Sequence, residues 1–196
     1  VSAPVKTSPG NLLVLSGPSG VGKGTILDNA LSTVGGIKRC VTATTRAMRP
    51  SEQNGVDYFF YSDEEFQQLI EAEQFLEWVE FAGFKYGTPR KWVEEQLASG
   101  LDVVLEIEVN GARKIAKRFP AATLIFVMPP NMEILEERLR SRATESSEKI
   151  KQRLEIARQE MAQRPWFQYE IVNDKIEHAV SSLVDIIYAQ RCKIRR

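Results

Sequence analysis

The sequence predicts an α/β fold in which a parallel sheet carries helices on both faces and the chain is interrupted by two insertions. Three observations predict it. Short apolar runs recur at residues 12–15, 40–43, 103–107, 124–128 and 171–172, with segments of helical character between most of them. Strands buried on both faces read as continuous apolar runs, and their alternation with helices points to a parallel sheet. The first run leads directly into a glycine-rich segment, residues 17–22. An aromatic stretch between Arg46 and Gly87 and an arginine-rich stretch from about Arg138 to Arg153 then break the rhythm.

A chain of 196 residues suits one compact domain able to bury its own core. Its 26 basic and 26 acidic residues balance, so no overall field favours nucleic acid or a membrane surface, and neither is expected as a partner. No obligate protein partner is expected either. The only cysteines, Cys40 and Cys192, lack metal-ligand spacing and read as reduced thiols, which suits the cytoplasm. The apolar runs are far shorter than the roughly 18 residues of a membrane span. Residues 1–10 carry two prolines and no apolar core, so they read as a loose arm and not as a signal peptide.

Each element can be justified in chain order. The run at 12–15 is a strand, the glycine-rich segment a loop, and residues 25–31 a helix. Within the first insertion, residues 58–61 and 75–81 read as strands of a small mixed sheet. A helix lies between them, and its start is marked by Ser62 and Glu65 in a capping box. Thr88 and Pro89 open a further helix that Gly100 ends, while Pro120 and Pro129-Pro130 close neighbouring elements. In the second insertion, Arg138, Arg140, Arg142 and Arg153 surround an acidic, serine-rich middle, as expected of a mobile helical lid.

Gly17-Pro18-Ser19-Gly20-Val21-Gly22-Lys23 matches the Walker A pattern through its lysine, in the strand–loop–helix context that the motif requires. Such a loop wraps a triphosphate with inward N–H groups, which side chains would obstruct. ATP is therefore the expected co-substrate, held by residues 17–25, with Lys23 as a point charge on the β and γ oxygens. Gly24 stands where the pattern has a hydroxyl, so Thr25 is the candidate to reach Mg²⁺, directly or through water.

The signal for the acceptor lies C-terminal to this loop. Residues 42–52 (TATTRAMRPSE), residues 54–60 (NGVDYFF), Phe75-Leu76-Glu77-Trp78 and Tyr86-Gly87-Thr88 closely resemble the GMP-binding insertion of guanylate kinases. The resemblance runs from about residue 12 to residue 189. It implies a core of about 11–45, 88–137 and 154–196, a GMP-binding insertion of about 46–87 and a lid of about 138–153. It also implies Mg²⁺-dependent transfer of the γ-phosphoryl group of ATP to GMP, with dGMP as a further acceptor.

Two arginines three residues apart with tyrosines downstream can surround a dianionic phosphate, so Arg46, Arg49, Tyr58 and Tyr86 form the expected clamp. The resemblance assigns Glu77 to the two guanine donors, with Thr42 and Thr88 completing the base contacts and Glu52 orienting the arginines. Thr42 replaces the family's more usual serine. Glu106 and Glu108 stand where many members have aspartates; Glu106 is expected near the metal and Glu108 at the nucleotide. Lys23, Arg46 and the lid residues Arg138, Arg142 and Arg153 are the expected catalytic cations, and Asn173 is expected to line the adenine pocket. No catalytic base is needed, because a phosphate monoester with a second pKa near 6 is already anionic at neutral pH. His178 reads as a surface residue.

Two other readings compete. A kinase for another nucleoside monophosphate shares the loop and lid but leaves Glu77 and the stretch 42–52 unexplained. A guanylate-kinase-like interaction module typically has a damaged loop and lid, whereas Gly22, Lys23 and the lid arginines are intact here.

Overall fold

The computed structural model describes residues 9–141 and 147–194. Most of the expected arm, residues 1–8, and the middle of the expected lid, residues 142–146 with Arg142, lie outside the described residues. The elements are β1 (Leu12–Ser16), α1 (Lys23–Thr33), β2 (Ile37–Arg39), β3 (Thr42–Thr44), β4 (Tyr58–Phe60), α2 (Asp63–Glu71), β5 (Phe75–Phe81), β6 (Phe84–Pro89) and α3 (Arg90–Ala98). They continue with β7 (Asp102–Glu106), α4 (Val109–Arg118), β8 (Thr123–Met128), α5 (Met132–Ser141), α6 (Ser147–Met161), β9 (Tyr169–Val172) and α7 (Ile176–Cys192).

Five strands form a wholly parallel sheet in the order β2-β7-β1-β8-β9. Residues of β1 alternate between its two faces. Leu13 and Leu15 pack with Val104, Ile125, Val127 and the apolar sides of α1 and α7, whereas Leu12 and Val14 pack with Val103, Leu105, Val93 of α3 and Ile115 of α4. Both faces are therefore covered, as the unbroken apolar runs require. A buried polar tie joins the C-terminal helix to this core: Arg191 Nε donates to Asp102 Oδ2 at 2.6 Å, and Asp102 Oδ1 accepts from the Asn11 backbone at 2.7 Å.

A second, mixed sheet has the order β4-β3-β6-β5. The apolar run at 40–43, expected as one strand, is divided. Cys40 donates its backbone N–H to Val104 O at the end of the main sheet, and Thr42 already belongs to the small sheet. The main-sheet strand beside β7 is instead β2, an edge strand of Ile37, Lys38 and Arg39 whose charged residues conceal it in an apolar scan. The small sheet thus draws on residues 42–44 and 88–89, just outside the span 46–87.

β5 joins the two cores, since Phe75 stacks on Phe66 in the small cluster while Leu76 packs into the main one. Its exposed side is covered by cations. Arg118 Nη1 donates to Leu76 O at 3.1 Å, Arg90 Nη2 to Phe75 O at 3.4 Å, and Lys114 Nζ to Trp78 O. Between these cations and β5 lies a hollow of about 360 Å³. The helix α2 begins with the expected box: Glu65 N–H donates to Ser62 Oγ and Ser62 N–H to Glu65 Oε2. α5 and α6 flank the undescribed lid segment and pack through Leu135, Leu139, Ile150 and Leu154.

β5 and β6 meet in a two-residue turn with Phe81 opposite Phe84, and both turn residues are left-handed, Ala82 at φ 53° and Gly83 at φ 79°. That turn type favours Asn-Gly because alanine is strained there. Ala82→Asn is expected to stabilise the fold by about 0.5–1 kcal/mol, read as a higher midpoint in urea unfolding.

Candidate functional site

The C-terminal ends of the parallel strands open on a cleft of about 800 Å³ whose far wall is the small sheet. Its lining includes Lys23, Gly24 and Thr25 from the first turn of α1, Glu106 at the end of β7 with Glu108 beyond it, and Thr42, Tyr58, Glu77 and Tyr86 from the small sheet. The topology assembles this cleft because ligands of parallel α/β sheets sit outside the strands' carboxyl ends.

The loop between β1 and α1 is held from three directions. A Cβ on Gly17, at φ 140°, would lie 2.3 Å from Val127 O of β8, and a Cβ on Gly22, at φ 97°, would lie 2.6 Å from Asn173 Nδ2. Glycine is thus required for close approach as well as for backbone conformation. Asn173 is buried, and its Nδ2 donates to Val21 O at 2.8 Å. Arg138 reaches the same region, with Nη1 donating to Val21 O at 3.3 Å and Nη2 to Asn173 O at 2.9 Å. Arg153 of α6 donates to Ser19 Oγ at 2.7 Å. Lys23 Nζ donates to the carbonyls of Gly17 and Pro18, at 2.6 and 3.1 Å, along the loop.

Across the cleft, Glu52 gathers the two arginines named from sequence. It accepts from Arg46 Nη2 at 2.7 Å and from the Arg49 backbone at 2.8 Å, with the Arg49 guanidinium 3.8 Å away. This pairing holds the Glu52 carboxyl below the usual carboxylate range. The Arg46 guanidinium also lies over the rings of Tyr58 and Phe60, at 5.3 and 5.8 Å from their centres. Tyr58 meets Tyr86 edge to face, with ring centres 6.3 Å apart.

Glu77 is 6% exposed, and its Oε1 accepts from Thr88 Oγ1 at 2.7 Å. Its Oε2 is buried without a protein partner. Burial pushes its carboxyl up to about 7, with Glu108 adding in the same direction and the Thr88 bond and Lys114 opposing. An orphaned acceptor beside an engaged one is costly in a folded protein unless something else occupies it. Beside it Cys40 lines the same cleft as a free thiol, pushed up to about 12 by burial and then by Glu77.

The two acids at the end of β7 and just beyond it are both already engaged. Glu108 caps α4, accepting from Gly111 N at 2.7 Å and Asn110 N at 3.0 Å. Glu106 accepts from Arg39 Nη2 at 2.8 Å. Arg140 pairs with Glu136 on its own helix, and His178 lies on the surface near Asp174.

Three charged lining residues belong to no motif legible in the sequence: Arg39, Asp28 and Glu160. Glu160 follows Arg153 by two helical turns, so both lie on one face of α6, a spacing that could have exposed it. Burial raises its carboxyl to about 7 against the opposing pull of Lys23. Arg39 sits in a short charged strand with no signature of its own.

The family model described as guanylate kinase matches residues 9–190. The chain belongs to the guanylate kinase family. A guanylate kinase of Desulfitobacterium hafniense is 47% identical over 187 residues, covering 95% of this chain and 94% of that protein. One from Synechocystis sp. is 49% identical over 186 residues, covering 94% and 97%. Among solved structures, the guanylate kinase of Anaplasma phagocytophilum superposes with a TM-score of 0.80 at 34% identity, covering 95% of this chain and 88% of that one. The parallel core flanked by helices is the fold of this guanylate kinase structure.

The folded state of Glu77 prefers the proton that an unfolded glutamate, at 4.5, would lose first. Stability conferred by this preference is complete below about 4.5, declines as pH rises to about 7 and is constant above. Glu77→Gln does not titrate, so its unfolding midpoint is expected to gain on that of the wild type between about pH 5 and about pH 8. A constant difference would remove burial as the controlling factor.

Proposed function

We propose that the protein is an ATP:GMP phosphotransferase that transfers the γ-phosphoryl group of ATP to GMP, giving ADP and GDP. The observation that carries this reading is Glu77, with one oxygen held by Thr88 and the other buried, unpartnered and bordering the cleft. Guanine presents N1–H and a 2-amino group side by side, whereas adenine lacks this donor pair. An ionised Glu77 can accept both, and Thr42 and Thr88, on neighbouring strands of the small sheet, complete the base contacts. Burial of unmatched polar groups would then make AMP a poor acceptor. dGMP presents the same base and is a further expected acceptor.

Arg46, Arg49, Tyr58 and Tyr86 receive the GMP phosphate, with Glu52 fixing the arginines. Residues 17–25 receive ATP, and Lys23 turns from its own loop carbonyls to the β and γ oxygens. Arg138 and Arg153 already bind the loop and serve as the cations that close over the transferred group; Arg142 is assigned the same part from sequence. With Asn173 bracing Val21, adenine is placed near the end of β9. Glu108 serves GMP by holding the start of α4 behind Glu77. The acceptor oxygen needs no base, so the residues act by positioning two polyanions, neutralising the charge that develops between them and excluding water.

The donors present fit a Mg²⁺ ion that arrives with the nucleotide. Thr25 Oγ and Glu106 are hard oxygen donors lining the cleft beside Lys23. Among the described residues no group of three acidic, histidine or cysteine side chains forms a cage of its own. When bound, Mg²⁺ would withdraw charge from the β and γ oxygens. The cytoplasm is the proposed location, and among the described residues no helix is long and apolar enough to cross a membrane.

ADP formation with Mg²⁺, ATP and a panel of GMP, dGMP, AMP, CMP and UMP tests the reading. Strong turnover with GMP and little with AMP is expected. Preference for another nucleotide would overturn the role of Glu77, and no turnover with any would favour an interaction module. Lys23→Met and Arg46→Met are each expected to lower kcat/KM by roughly a hundredfold or more while leaving the fold intact. The ionised form of Glu77 is the binding form, so guanosine, which has no phosphate to titrate, is expected to bind about tenfold more tightly at about pH 8 than at about pH 6. Isothermal calorimetry would read this, and a flat profile would exclude the carboxylate as the acceptor.

A further inference from the structure

Arg39 ends β2, and its guanidinium lies in the cleft beside the start of α1. Nη1 donates to Asp28 Oδ1 at 2.8 Å, and Nη2 donates to Glu106 Oε2 at 2.8 Å and to the Gly24 carbonyl at 3.3 Å. One planar cation thereby links two carboxylates from different elements to the phosphate loop. A Cβ at Gly24 would stand 3.6 Å from Arg39 Nη2 and 3.6 and 3.7 Å from the two Glu106 oxygens. The Walker pattern has a hydroxyl side chain at this position. Here the position is bare, and the space it faces holds a guanidinium–carboxylate pair.

We propose that Arg39 is a positioning residue that holds Glu106 against the phosphate loop and prevents it from taking up a divalent cation until a nucleotide delivers one. The inference rests on the reading of Glu106 as the acid nearest the metal. Without Arg39, Glu106 and Asp28 would both border the cleft without this shared counter-charge. Two such carboxylates repel each other and recruit a hard cation from solution. With Arg39 present, half of that charge is offset and both acids are fixed by directed hydrogen bonds. The free protein is therefore a poor metal binder. Glu106 is thereby held at the wall of the cleft where it would meet a cation delivered with the triphosphate.

Mn²⁺ binding to the nucleotide-free protein, measured by electron paramagnetic resonance of the free ion, tests this directly. Arg39→Gln is expected to bind Mn²⁺ about tenfold more tightly than the wild type, and the double variant Arg39→Gln, Glu106→Gln to return to the wild-type value. If circular dichroism shows Arg39→Gln unfolded, Arg39→Lys replaces it. Lysine keeps the charge but cannot span Asp28 and Glu106 together, and a smaller gain in the same direction is expected. Unchanged Mn²⁺ affinity in a folded variant would overturn the proposal. A gain that survives removal of Glu106 would overturn the assigned pairing. Wild-type turnover with GMP is scored separately, so failure of the kinase reading and failure of the Arg39 assignment give different results.

Discussion

The arrangement depends on one constraint, the parallel pairing of β1 with β7 and β8 on either side. Parallel register brings the carboxyl ends of neighbouring strands to one edge of the sheet. Leu15 is level with Glu106 on one side, and Ser16 with Phe126 on the other. The glycine-rich loop, the acid that ends β7, the carbonyl of Val127 and the amide of Asn173 after β9 therefore converge without any long connection. The glycines at 17 and 22 are the local counterpart of this convergence. The backbone must turn sharply and must also approach β8 and Asn173 more closely than a side chain would permit.

The glycine-rich loop and the start of α2 are legible in the sequence because their chemistry is local. Gly17 to Lys23 announces an anion cradle by spacing alone, and Ser62 with Glu65 announces a helix start. Glu77 is legible only through resemblance, because a glutamate on an alternating strand ordinarily faces solvent. Its burial depends on Leu76 entering the main core and on Thr88 meeting it from β6. β2 escapes notice because an edge strand of Ile37, Lys38 and Arg39 carries no continuous apolar signal. Arg39 itself is hidden for a related reason, since its partners, Asp28 and Glu106, are distant in sequence or on another element and converge only through the fold. The tie between Asp102 and Arg191 is concealed likewise.

Charge is used differently on the two sides of the cleft. Near the loop, cations lean on backbone carbonyls, as Lys23 and Arg138 do. Such contacts are exchangeable for phosphate oxygens, because a carbonyl offers only part of a negative charge. Between β3 and β4, Glu52 binds Arg46 as a true ion pair in which both side chains are 12% exposed. That geometry resists rearrangement, so the Arg46–Glu52 pair is fixed while the loop side is adaptable.

The cations along β5 have a consequence for how copies of the protein meet one another. An open strand edge is a template on which another molecule's strand can pair, the first step toward aggregation. Arg90, Lys114 and Arg118 occupy the carbonyls of Phe75, Leu76 and Trp78 and place positive charge along the same border. A second β5 approaching edge to edge would find these three carbonyls taken and an array of like charge in its path. The side chains that secure β5 to the core thus also oppose edge-to-edge pairing at this border of the small sheet.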